Sequence, residues 1–212
     1  MSRYIQKLIN EGEHQQLDFK FEISDARKIA RTLVAFSNTD GGKLLIGVKD
    51  NGKIAGIRSE EEYYMLDSAA SLFCRPEIKL KYQKWTIEGK SILEVDIEEG
   101  SDKPYFCKLE DGKWMAFIRS GDENFLADIV LLKAWKNKRR KSGVLLRYSQ
   151  NEQLVLDYLN EHGMITLETF IQYAGIRRRT AIEILGKLAA FDLIEVHTSD
   201  KGSHYSLKKP LE

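Results

Sequence analysis

Between Ile129 and Asn151 the chain carries seven basic residues and no acidic one. They are Lys133, Lys136, Lys138, Arg139, Arg140, Lys141 and Arg147. This run most constrains the fold, because like charges at that density repel one another and Ser142-Gly143 breaks any periodic pattern at its centre. It reads as a connector, so the 212 residues divide into a first domain over 1–135, a basic linker over 136–150 and a second domain over 151–212. With 42% hydrophobic residues, nine Phe, nine Tyr and three Trp, both domains can build a core, which excludes a wholly disordered chain. The net charge of +1 excludes a uniformly basic protein but is silent about local patches. A run of this kind serves as a solvated linker or as an arm that tracks a phosphate backbone, and Lys138, Arg139 and Arg140 are the candidates for such contacts.

No apolar run approaches the roughly 20 residues of a membrane helix, and Met1–Lys7 has no signal-peptide core. A soluble, cytoplasmic protein without membrane contact is expected. Cys74 and Cys107 form no Cys-x-x-Cys pair and read as reduced, partly buried thiols. His14, His162, His197 and His204 have no metal-ligand spacing. Trp85, Trp114 and Trp135 read as core or domain contacts.

In the first domain, apolar spacing predicts a helix over Arg3–Glu11, and Leu17-Asp18-Phe19-Lys20-Phe21 alternates as a half-buried strand does. A helix capped near Ser24-Asp25 should end at Asn38-Thr39-Asp40-Gly41-Gly42. A buried strand over 43–48 should return through the Asp50-Asn51-Gly52 hairpin into Ile54–Ile57. A helix over 60–73, strands over 78–87, 91–97, 105–109 and 114–118, and a helix over 125–135 complete the domain.

The second domain orders helix, helix, the tight turn Ala174-Gly175-Ile176, a helix headed by Arg177-Arg178-Arg179-Thr180, then two strands joined by the polar loop 198–203. Over Asn151–Lys208 this resembles a winged helix, a helix-turn-helix variant. The resemblance implies that the third helix meets a DNA groove and the hairpin touches backbone. Arg177, Arg178, Arg179, Thr180 and Lys187 would then face the groove, with Lys201 and His204 at the wing. From Lys141 onward there are nine basic and nine acidic residues, the acids Glu152, Asp157, Glu161 and Glu168 lying on the first two helices. A charge dipole across the domain is therefore expected, and binding should need a second contact. Winged helices also serve as protein-interaction modules, in which case the arginines are solvated.

The first domain carries ordered blocks: Glu13, then Asp18-Phe19-Lys20; Ala35 to Gly42; Leu45-Ile46-Gly47-Val48-Lys49-Asp50-Asn51-Gly52 and Gly56; Lys103-Pro104-Tyr105; and Ile118-Arg119-Ser120-Gly121. These blocks resemble the Schlafen-type AlbA-like domain, also labelled divergent AAA or RecG-like DNA-binding, over residues 10–130. The resemblance implies an α+β fold and, from members with endoribonuclease activity, a site of Glu13, Asp18 and Asp50 that would take Mg²⁺ or Mn²⁺. Asp18 departs from the Glu usual there, and Lys20 is the basic residue of the motif. The other reading of Glu13, Asp18 and Lys20 is a salt-bridged strand edge. No Gly-x-x-x-x-Gly-Lys-Ser/Thr loop is present, so ATP hydrolysis is not expected.

The sequence thus points to an α+β AlbA-like domain followed by a winged helix, acting as a cofactor-free DNA-binding transcriptional regulator and as a homodimer. RNA is a second possible partner. The rival readings are a metal-dependent nuclease and a protein-interaction adaptor.

Overall fold

Alternation along Leu17-Asp18-Phe19-Lys20 decides where the first sheet puts its polar groups. The computed structural model describes residues 2–57, 59–145 and 149–208, so Arg147 lies outside the described residues. Helix α1 (Ser2–Glu11) leads to strand β1 (Leu17–Lys20), whose Leu17 and Phe19 join a core with Ile5 and Ile9 of α1. Period two sends Asp18 and Lys20 to the other face. Helix α2 (Ala26–Asn38), capped where Asp25 accepts from Arg27 N at 2.8 Å, crosses to β2 (Gly42–Ile46), which lies parallel to β1. Helix α3 (Glu61–Leu72) and the short β3 (Cys74–Arg75) precede β4 (Leu80–Ile87) and β5 (Lys90–Ile97). The sheet order is β1-β2-β5-β4, which leaves β1 at an edge. Leu44, Ile46, Leu93, Val95 and Ile97 pack under α2 and α3, while Leu45 and Ile92 face α1.

Strands β6 (Phe106–Lys108) and β7 (Trp114–Met115) form a small sheet with β3. There Cys74 and Cys107 are paired across strands as buried free thiols, and burial pushes the Cys107 thiol up to about 11. Strands β8 (Phe117–Ser120) and β9 (Glu123–Leu126) close the unit as a hairpin. The turn after α2 needs glycine: Gly41 has a φ of 65°, and a Cβ there would lie 2.6 Å from Ile97 O. Gly47, at φ 92°, passes so close to Gly56 that a Cβ would meet its carbonyl carbon at 2.9 Å.

The structure departs from expectation in the middle of the chain. Residues 54–57 form no return strand; a single bridge joins Val48 to Ile54. Phe125 and Leu126, expected in a helix, pair with Ile118 and Phe117 in β9. The helix begins only after Asp128, whose side chain accepts from Val130 N at 2.8 Å. The chain divides after Leu126, not at 135. Helix α4 (Ile129–Lys138) belongs to the second unit, because Val130 and Ala134 are buried in that unit's core.

In the second unit, α5 (Gln150–His162) starts with a capping box between Ser149 and Glu152. A short strand β10 (Met164–Ile165) follows, then α6 (Leu167–Ala174), capped by Thr166 and closed by the left-handed Gly175. Helix α7 (Arg178–Ala190) leads into β11 (Ile194–Ser199) and β12 (Gly202–Leu207). The sheet order is β10-β12-β11, all antiparallel. The order expected from the sequence is found, with two changes. Strand β10 is added, and Thr198 and Ser203, expected in a loop, are paired, so the hairpin is longer. Among the described residues no helix is long and apolar enough to cross a membrane.

Candidate functional site

Asp18 lies at the centre of the first unit's charged cluster. It is 4% exposed, and β8 brings Arg119 against it, with Arg119 Nη2 to Asp18 Oδ1 at 3.1 Å. Lys20 Nζ lies 2.7 Å from Asp18 Oδ2, the pair expected of a salt-bridged edge. The guanidinium of Arg119 also donates to the carbonyls of His14 and Leu17 (both 3.1 Å) and to Asn124 Oδ1 (3.3 Å), and stacks 4.8 Å from the Phe36 ring centroid. Buried charge is tolerated only when paired and hydrogen-bonded in this way. Glu13 Oε1 accepts from Phe19 N at 2.8 Å. Burial raises its carboxyl above the ordinary value against that bond, and the neighbouring Asp18 adds to the rise.

Glu13 and Asp18 therefore converge, but Asp50 is exposed in the turn after β2 and does not join them. Among the described residues no three His, Cys, Asp or Glu side chains gather as a cation site would require. Both Asp18 oxygens face Arg119 and Lys20, so the donor set does not fit Mg²⁺ or Mn²⁺. Other motif residues act as struts. Asn38 donates to the carbonyls of Tyr105 (2.8 Å) and Phe117 (2.9 Å) and accepts from Tyr105 N (2.8 Å). Lys103 Nζ donates to Thr39 O at 3.0 Å. In the sequence Arg119 is one residue of the Ile118–Gly121 block, and an arginine within an apolar strand is the sole local mark of its role as hub.

In the second unit, Arg177 to Thr180 are exposed at the start of α7, with Arg177 as its N-cap. Arg178 is held by Glu168 of α6 at 2.8 Å, which draws the Glu168 carboxyl below its ordinary value. Arg177 and Arg179 have no side-chain hydrogen bond or ion pair among the described residues. Lys187 is half-buried, and Lys201 is exposed at the hairpin turn. His204 stacks on its cross-strand partner His197 at 4.9 Å between ring centroids.

Helix α4 changes how α7 can be used. Ala181, Leu185 and Leu188 face the core, and at 3.6 residues per turn Glu183 and Gly186 lie roughly opposite. Lys133 of α4 pairs with Glu183 and crosses over Gly186, and Asn137 donates to Gly186 O at 3.2 Å. The middle of the outward face of α7 is thereby covered, and its first turn stays open. Lys138, expected on a phosphate-tracking arm, instead pairs with Asp192 at 3.0 Å. Arg139, the C-cap of α4, and Arg140 remain exposed. The expected separation of acids from the binding helix does not hold, since Glu168, Glu183 and Asp192 pair with basic residues on or beside α7.

Comparison with known proteins gives a family profile and distant folds. The profile described as Schlafen, AlbA_2 matches residues 13–128. The DIP2311 protein of Corynebacterium diphtheriae aligns at 16% identity and a TM-score of 0.46, covering 74% of this chain and 37% of its own. The N-terminal domain of a RecG-related protein from Nitrosomonas europaea aligns at 23% identity and a TM-score of 0.42, covering 58% of this chain and 94% of its own. No curated protein matches the chain.

Proposed function

The chain belongs to the Schlafen, AlbA_2 family, and from that premise we propose that it is a DNA-binding regulator of transcription that reads duplex DNA through its second unit. In this reading the second unit is a winged helix, and the first unit adds nucleic-acid contacts or holds two copies together. The observation that carries it is the open first turn of α7, where Arg177 and Arg179 have no carboxylate partner among the described residues and lie beside Thr180. Free backbone N–H groups and the positive end of the helix favour phosphate at that point. Arginine forks there match phosphate oxygens or guanine edges.

The cover of α4 over Glu183 and Gly186 means that α7 meets DNA by its end and not along its length. Arg178 is shared with Glu168, so Arg177 and Arg179 carry most of the contact. Lys201 at the hairpin turn and the exposed Arg139 and Arg140 are second contacts to backbone.

Fluorescence anisotropy with a labelled duplex tests this reading. The double variant Arg177→Ala/Arg179→Ala should weaken binding at least tenfold. It should also flatten the logarithmic salt slope by roughly 1.8, the value for two lost phosphate contacts on B-form DNA. Unchanged affinity and slope would refute the assignment.

A further inference from the structure

A second cationic feature lies in the first unit and uses none of the residues assigned to duplex binding. A cleft of about 610 Å³ is lined by Lys20, Arg27, Lys28, Arg31, Thr32 and Asn124, and also by Leu109, Glu110 and Asp111. Its size falls within the roughly 300–1,000 Å³ of small-molecule sites. We propose that this cleft binds a phosphate-bearing ligand.

Three observations carry the assignment. The first is charge. Asp111 is already paired with Lys113 at 2.8 Å, and Asp18 beneath Lys20 is shared with Arg119. Glu110 also lines the cleft, and Arg27, Lys28 and Arg31 have no side-chain hydrogen bond or ion pair among the described residues. From Ala26 to Asn38, α2 contains no acidic residue at all.

The second is order. The Arg27 guanidinium rests 5.2 Å from the Phe73 ring centroid and that of Arg31 5.3 Å from the Phe117 ring centroid. Stacking on a ring holds the planar fork while leaving its N–H donors unused. The two arginines are one turn apart, on the same face of α2.

The third is a fixed polar floor. Asn124 accepts from Arg119 Nη1 at 3.3 Å and donates to Thr32 Oγ1 at 3.1 Å, so its amide cannot turn freely. Ordered cations above an ordered amide suit a phosphate group, whose oxygens accept from several donors at once.

The phosphate could belong to a free nucleotide or to a nucleic-acid strand, and two probes separate these. Full-length protein is titrated calorimetrically with ATP and, separately, with a ten-nucleotide thymidine oligomer. Binding of ATP assigns a free nucleotide, and binding of the oligomer alone assigns a strand. In either case Arg27→Ala/Arg31→Ala should weaken binding at least tenfold. For the oligomer it should also reduce the salt slope by roughly 1.4. Because those arginines also pack on Phe73 and Phe117, Lys28→Glu provides a second variant free of that packing, and it should weaken the same probe. The proposal is overturned if neither probe binds the wild-type protein, or if binding survives both variants unchanged. It stands or falls separately from the α7 reading, whose variants lie in the other unit.

Discussion

Asp18 and Glu13 are both carboxylates of the first block, yet their surroundings give them opposite roles in stability. Asp18 neutralises a buried arginine. Asp18→Asn leaves the Arg119 charge without its partner and should cost about 3–5 kcal/mol, the range for breaking a buried pair, measured by denaturant unfolding. Glu13 is pushed toward its neutral form. Its folded-state pKa lies above the unfolded one, so its ionised form opposes folding above that value and the penalty disappears as pH falls below the unfolded pKa. Glu13→Gln keeps an acceptor for Phe19 N–H, so it should hold or raise the melting temperature at pH 7. That advantage over wild type should shrink as pH drops toward 4. Residue types in this block were legible in the sequence, and period two already sent Asp18 and Lys20 to one face. What the spacing could not show is that Arg119, about a hundred positions later, claims Asp18. A contact that distant is made by β8 packing on α2 and leaves no local pattern.

At the scale of elements, α4 is where sequence and structure part most clearly. The sequence places residues up to 135 in a helix of the first domain and starts the basic linker at 136, within α4. The structure shows that Val130 and Ala134 of the same helix are core of the second unit, while Lys133 and Lys138 pair with Glu183 and Asp192. Gly186 is the contact point, for a Cβ there would run into the Cβ and Cγ of Lys133. Gly186→Val should therefore displace α4 or destabilise the unit by about 1–3 kcal/mol, as overpacking does. Limited proteolysis near Arg139 and Arg140 would report the displacement as faster cleavage. The Arg-headed start of α7 was legible, because three consecutive arginines before an apolar stripe mark both a helix and its exposed end. The cleft arginines on α2 were not, since Arg27, Lys28 and Arg31 read only as the polar side of an amphipathic helix.

At the scale of the whole molecule, the division after Leu126 has a direct consequence. A fragment of residues 127–212 retains α4 and should unfold cooperatively by circular dichroism. A fragment of 136–212, cut where the charge pattern alone would place the boundary, loses Val130 and Ala134 and exposes Gly186. It should melt at a clearly lower temperature. An equal melting temperature for the two fragments would remove α4 from the unit's core.

The sequence by itself determined the element types of most of the chain, the α+β class and the position of the exposed arginines, because local periodicity, capping residues and glycine turns encode those features within a few positions. The family was legible separately, from the ordered blocks of the first domain that resemble it. Only the tertiary structure decided which charges are spent. It committed Arg119, Lys133 and Lys138 to carboxylates far away in the chain, left Asp50 apart from Glu13 and Asp18, and opened a cationic cleft beside α2. Those outcomes depend on which faces pack together, and charge pairing across packed faces has no signature in the order of residues.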